Sequence, residues 1–253
     1  MKNERSQILI IGGGPAGSVC ALTARKYYPD KSITVVKDVK DGVVPCGIPY
    51  MIAALKDPAD NAASSAPLKK QGVEVVIDRA VEIFRKDKTV VMESGDRYGY
   101  EKLVLAVGSS PIVPPLPGID LSGIYPIKKE KGYLLKMVEE IKEKKKILVV
   151  GGGFIGIEFA DELAHLSGHR VSLVELQPRL LSNSFDPEFA LMAEEKLREE
   201  GVDIMTGTEV TEFMGNERVE KVRFSDGREE DVDAVILGIG ARPNTELAAA
   251  AGL

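Results

Sequence analysis

Two kinds of residue in this chain could do chemistry. The stretch "VVPCGIPYMI", residues 43–52, holds Cys46 between Pro45 and Gly47, with Pro49 and Tyr50 close behind. A thiolate is both a nucleophile and an electron carrier, so a thiol fixed in a proline-flanked turn points to redox or thiol-exchange chemistry. The second kind is glycine. Gly12-Gly13-Gly14-Pro15-Ala16-Gly17 and Gly151-Gly152-Gly153-Phe154-Ile155-Gly156 both fit G-x-G-x-x-G. In that pattern the first glycine allows a tight strand-to-helix turn. The second lets the backbone approach a pyrophosphate, and the third lets the helix close on the strand. The helix N-terminus then faces the phosphate charge. Two matches, each after an apolar run and ahead of a helical pattern, are far more specific than one.

A carboxylate at the end of the strand after such a loop hydrogen-bonds a ribose diol and repels a 2′-phosphate. Glu175 stands there for the second loop, which predicts NADH over NADPH. The first loop has Lys37 in the equivalent slot and Asp38 one residue later. Either Asp38 reaches a ribose, or Lys37 and the backbone hold the dinucleotide differently.

The elements that must position these residues form an internal repeat. "ILIIGGGPAG" at 8–17 recurs as "ILVVGGGFIG" at 147–156. Each opens a helical pattern and is followed by a second β-rich run, "SITVV" at 32–36 and "RVSLVE" at 170–175. The result is βαβ twice, an α/β fold with parallel sheets. Between the repeats the pattern predicts a helix near 48–55, opened by Cys46 with Pro49 in its first turn. A polar loop and a short helix follow, then strands near 73–77, 80–85, 88–92, 97–100 and 102–108. Four prolines in "SSPIVPPLPG", 109–118, forbid helix and central strand and mark a domain crossing. Beyond the second repeat lie an amphipathic helix in "DPEFALMAEEKLREEG" and a meander with strands near 203–206, 209–213, 218–224 and 229–232. A buried strand, "AVILGIG", and the start of a helix at "TELAAAAGL" complete the chain.

The chain has 253 residues, 44% hydrophobic and 28% charged, with net charge −6. That is enough for one large or two modest domains. The acidic balance argues against nucleic acid as a partner. No apolar run approaches a membrane span, and two cysteines make no disulfide framework, so a cytoplasmic protein is expected. Cys20 falls on a helix at core spacing, and His165 and His169 read as surface residues.

Together the two loops and the cysteine resemble the FAD-dependent pyridine nucleotide–disulfide oxidoreductases. The likeness is greatest to the single-cysteine branch of coenzyme A disulfide reductases and NADH oxidases. "CGIPY" is similar to that branch's cysteine motif, and "LAVGSSPIVPPLPG" to the strand and linker leaving the flavin domain. "VVGGGFIGIE" resembles the NADH loop, and "LGIGARPNTEL" the return from the NADH domain.

The resemblance implies two Rossmann-like domains: an incomplete FAD domain over 1–118, an inserted NADH domain over 119–243, and a return at 244–253. A C-terminal dimerisation domain would be absent, and the full-length form a homodimer. Gly12, Gly14, Pro15, Ala16 and Gly17 would cradle the FAD pyrophosphate, with Lys37 and Asp38 near the ribose and Val81 beside the adenine. Ala106, Val107 and Gly108 would pass the flavin, and Pro45 would precede the catalytic Cys46. Gly151, Gly153, Phe154, Ile155, Gly156, Glu175 and Gly240 would bind NADH, with Glu158 near the flavin–nicotinamide contact. No metal is implied. Pro15 stands where NADH peroxidases carry a histidine, which disfavours peroxidase chemistry. The resemblance implies electron transfer from NADH through flavin and Cys46 to a small disulfide or persulfide. Oxygen as acceptor, an electron-transfer reductase that bypasses Cys46, and a non-catalytic nucleotide-binding module are the alternatives.

Overall fold

The runs "ILII" and "ITVVK" are rich in β-branched residues and apolar almost throughout, which suits strands covered on both faces. In the computed structural model, which describes residues 3–253, they become β1 (Asn3–Ile11) and β2 (Ile33–Lys37). Helix α1 (Pro15–Tyr27) joins them, with Pro15 at a first-turn position where its missing N–H costs nothing. Helix α2 (Ala66–Lys70) then leads to β3 (Glu74–Ile77), β4 (Ala80–Phe84), β5 (Thr89–Met92) and β6 (Arg97–Leu105). These six strands form one sheet in the order β3-β2-β1-β6-β5-β4. Its first four strands are parallel, while β5 and β4 run antiparallel at the far edge. Successive residues of β1 serve opposite faces, as the pleat requires. Ile10 packs with Ala21, Val35 and Leu68, and Leu9 and Ile11 pack with Val36, Val90 and Met92.

The chain leaves this unit along β7 (Ser109–Pro111). The second unit follows as β8 (Ile124–Pro126), α3 (Lys131–Lys142), β9 (Lys146–Val150), α4 (Phe154–Ala164), β10 (Arg170–Val174), α5 (Pro187–Glu199) and β11 (Asp203–Met205). Then come β12 (Val210–Met214), β13 (Lys221–Phe224), β14 (Glu229–Asp231) and β15 (Ala234–Leu237). Five strands make a parallel sheet, β11-β10-β9-β15-β8, and β12-β13-β14 an antiparallel one. The chain returns along β16 (Ala241–Pro243), which pairs with β7, and ends in α6 (Glu246–Ala250). By contacts, the first unit comprises residues 1–44, 62–110 and 243–253, and the second comprises 45–61 and 111–242.

Several sequence expectations change. The strands expected at 97–100 and 102–108 are one strand, β6, because it pairs with β1 along its length, from Asn3↔Arg97 to Ile11↔Leu105. The strand near 203–206 joins the parallel sheet through Leu173↔Ile204 rather than the meander. Residues 119–145, for which no element was expected, hold β8 and α3. Helix α3 buries Leu134, Met137, Val138 and Ile141, an i, i+3, i+4, i+7 stripe that was legible in the sequence. The unit division falls after Ser110 instead of 118, and 45–61 groups with the second unit.

The helix expected near 48–55 is absent. Pro45–Gly47 and Pro49–Met51 form separate 3₁₀ turns. Pro49 has no N–H to give the Pro45 carbonyl, which instead accepts from Ile48 N at 3.2 Å. Cys46 therefore stands inside a single turn and not at the head of an α-helix.

Asn244 staples the first unit after the chain returns. Its Nδ2 donates to Val107 O at 2.9 Å, its Oδ1 accepts from Ser110 Oγ at 2.8 Å, and its backbone N–H donates to Gly108 O at 3.0 Å. Asn244→Ala removes both side-chain bonds and should destabilise the protein by about 1–3 kcal/mol in urea unfolding. An unchanged unfolding midpoint would count against the staple.

Candidate functional site

Each glycine loop sits where its parallel sheet reverses strand order, between β1 and β6 in one unit and between β9 and β15 in the other. That is the point where open α/β sheets bind ligands. The two loops are built alike. Gly12 has φ +110° and Gly151 φ +105°, values that suit glycine in the strand-to-helix turn. A Cβ on Gly17 would lie 1.9 Å from Gly12 O, and one on Gly156 would lie 1.8 Å from Gly151 O. The helix can rest on the turn only because that atom is missing. Gly14 and Gly153 cap α1 and α4, and a Cβ on either meets nothing within 4 Å. Both loop crests are thus open to a phosphate group, with Pro15 and Ala16 exposed at the head of α1.

In the second unit, Gly151, Gly153, Phe154, Ile155, Glu175 and Gly240 line one cavity of about 650 Å³. Gly156 lies buried beneath it. Glu175 accepts hydrogen bonds from Gly152 N at 2.5 Å and from Gln177 N at 2.7 Å, which pins its carboxylate at the cavity wall. Phe154 is exposed and meets Phe185 edge to face, with ring centroids 5.7 Å apart. Other parts of the wall carry no sequence signal: Pro114, Leu116, Gln177, Asn183 and Thr208 come from scattered loops, and Phe213 comes from β12.

In the first unit, Lys37 is buried, and its stem lies against Gly13, where a Cβ would fall 2.8 Å from Lys37 Cδ. Its Nζ turns away to Lys40 O (3.3 Å) and Ser65 Oγ (3.4 Å). Asp38 is exposed. Gly12 packs on Ala106 O, and Val107 and Gly108 are held by Asn244. Val81 is exposed at a register shift in β4, the edge strand, where a bulge takes backbone groups out of the ladder.

Cys46 is exposed and outside any disulfide, and Pro45 beside it is half-buried. The turn beneath them is anchored by Ile48, Met51 and Ile52, all buried, and packs against α4. Cys20 is half-buried among the core of α1. His165 is exposed, and His169 is half-buried, so only the first fits the surface expectation. Among the described residues no cluster of His, Cys, Asp or Glu could hold a metal ion, and no helix is long and apolar enough to cross a membrane.

Comparison with known proteins fits this geometry. The family description "Pyridine nucleotide-disulphide oxidoreductase" matches residues 6–253. The chain belongs to the pyridine nucleotide-disulphide oxidoreductase family. An NADH oxidase of Methanocaldococcus jannaschii is 35% identical over 96% of this chain and 56% of its own length. An NAD(P)H coenzyme A polysulfide/persulfide reductase of Pyrococcus horikoshii is 33% identical over 100% of this chain and 57% of its own. A solved NAD-dependent persulfide reductase from A. fulgidus superposes with TM-score 0.90 at 32% identity, over 98% of this chain and 48% of that one. The chain thus spans about half the length of the relatives it matches.

Within this oxidoreductase family member, Glu158 sits one turn into α4, outside the cavity wall. Loss of water around it raises its carboxyl above the usual carboxylate range. A raised native pKa means that the folded state binds more protons than the unfolded one, so this residue's contribution to stability falls as pH rises through that window. Glu158→Gln should therefore gain stability relative to wild type as pH rises from about 4 to 7. Urea unfolding at several pH values reads this, and a pH-independent difference would refute it.

Proposed function

We propose that this protein is an NADH-dependent flavoprotein that reduces a small disulfide or persulfide, of the coenzyme A type, through Cys46. The doubling of the loop carries this reading: one chain holds two glycine turns with equivalent helix-on-turn contacts and open crests, enough for two dinucleotides. The relatives named as persulfide reductases support the substrate class.

In this reading Gly12, Gly14, Pro15, Ala16 and Gly17 hold the FAD pyrophosphate. Asp38 meets its ribose, because Lys37 is committed to Lys40 and Ser65. The backbone at Val81 would meet the adenine, and Ala106, Val107 and Gly108 would lie along the flavin. Gly151, Gly153, Phe154, Ile155, Gly156 and Gly240 hold NADH, with Glu175 on its adenosine ribose. Glu158 keeps its proton to a higher pH than an exposed carboxyl, so it would be a proton-bearing group near the nicotinamide end of the second site.

Cys46, as thiolate, attacks one sulfur of the substrate. A Cys46–substrate S–S bond forms, the substrate S–S bond breaks, and the first thiol leaves and takes a proton from water. Two electrons and one proton then release the second thiol and restore the thiolate. FAD held at the first glycine loop would supply that pair of electrons, with NADH at the second loop as their source. A second accessible cysteine could resolve this mixed disulfide internally, but Cys20 is half-buried among core residues of α1. The thiol joined to Cys46 is therefore an external one in this reading. Two cysteines without a disulfide framework suit a cytoplasmic setting, and a homodimer is the assembly we infer. Oxygen is the second acceptor considered, favoured by the M. jannaschii relative, with Cys46 cycling through a sulfenic acid.

Cys46→Ser should cut coenzyme A disulfide or persulfide turnover at least about 100-fold, yet leave NADH-to-dye transfer within about twofold. Full disulfide turnover in that variant would end the proposal. Glu175→Ala should weaken NADH at least about tenfold and narrow its advantage over NADPH. Equal cofactor constants before and after the change would remove Glu175 from the ribose.

A further inference from the structure

Glu162 is a buried carboxylate that the mechanism above does not use. It lies on α4, four residues after Glu158 and therefore on the same face, and only 6% of it is exposed. Its Oε2 accepts two backbone hydrogen bonds, from Ala53 N at 3.2 Å and from Ala54 N at 2.8 Å. Both amides belong to the segment that carries Cys46.

The need for this acceptor follows from the broken turn. The carbonyls that an α-helix would offer to Ala53 N and Ala54 N already serve others. Pro49 O accepts from Ile52 N at 3.0 Å, and Tyr50 O accepts from Leu55 N at 2.8 Å. Two N–H groups are left without a carbonyl partner at the edge of the buried turn, where an unmet donor is costly. A carboxylate meets both at once, with bonds stronger than neutral ones. Ile48, Met51 and Ile52 bury the apolar side of the same turn, and Lys131 of α3 donates to Ala59 O at 2.9 Å further along. Residues 45–61 are thus tied to two helices of the second unit.

We infer that Glu162 is a positioning residue that locks the Cys46 turn to the helix whose N-terminus forms the second glycine loop. The thiol and the NADH loop then move as parts of one body, whatever the first unit does. The inference rests on the reading of Cys46 as the redox thiol, but its geometric half can be judged without it.

The test uses the purified flavoprotein with Glu162→Ala, Glu162→Gln and Cys46→Ser. In Glu162→Ala, amide exchange at Ala53 and Ala54 should speed up at least tenfold. Alkylation of Cys46 by iodoacetamide should change at least threefold, and coenzyme A disulfide turnover should fall at least tenfold, with the NADH dissociation constant within twofold of wild type. Glu162→Gln keeps one acceptor oxygen and should recover much of each loss. If Glu162→Ala does not fold, Glu162→Gln against wild type carries the same comparisons at smaller size. Unchanged exchange and alkylation would overturn the inference. Faster exchange with unchanged alkylation and turnover would also overturn it, by reducing Glu162 to a structural acceptor. Disulfide turnover that survives in Cys46→Ser would instead defeat the proposed function, while exchange and alkylation would still decide the role of Glu162.

Discussion

Everything in this chain that can hold a nucleotide depends on a helix resting directly on the carbonyl of the turn before it. At Gly17 over Gly12 and at Gly156 over Gly151 the spacing leaves no room for a single carbon atom. That contact draws the first turn of α1 or α4 to the end of its strand, so the helix N–H groups and the open crest at Gly14 or Gly153 meet in one place. The surrounding sheet exists to hold this arrangement. Its apolar strands are buried on both faces, and each loop occupies the switch point of its own sheet.

The two loops are alike in backbone and unlike in charge. In the second unit Glu175 grips the middle glycine's N–H and stands at the cavity wall. In the first unit the same position is a lysine whose stem covers the middle glycine and whose ammonium turns to Lys40 and Ser65. A carboxylate suits a ribose diol, whereas a buried ammonium on a four-carbon stem acts here as a brace for the loop after β2. Divergence between the halves thus lies in the residue after the second strand, while the turn itself is held fixed by sterics.

The parts of the fold set by local rules were legible in the sequence. The glycine spacing, the apolar runs and the helix stripe of α5 each carry their own signal, and the family resemblance agreed with them. The split of β6 was misjudged because Glu101 and Lys102 look like a break, yet pairing with β1 carries the strand through them. The turn at Cys46 looks in sequence like a helix with Pro49 in its first turn, but two prolines four apart deny that helix its first hydrogen bond. Helix α3 carries its own stripe, Leu134, Met137, Val138 and Ile141, at helical spacing. The cavity wall and Glu162 were a different matter. Pro114, Asn183 and Thr208 meet only through tertiary folding, and a glutamate late in an amphipathic helix looks like any solvated carboxylate until its two amide partners are seen.

The staple at Asn244 has a kinetic side. The first unit's sheet is formed from residues before Ser110, but the bonds that fix Val107, Gly108 and Ser110, and the packing of α6 on β4, come from residues beyond Pro243. Contacts so distant along the chain close slowly, because loop entropy must be overcome before they bring any reward. During synthesis the earlier domain would therefore wait, loosely fastened, for more than a hundred residues to emerge, while the stretch in between could assemble most of its own sheet first.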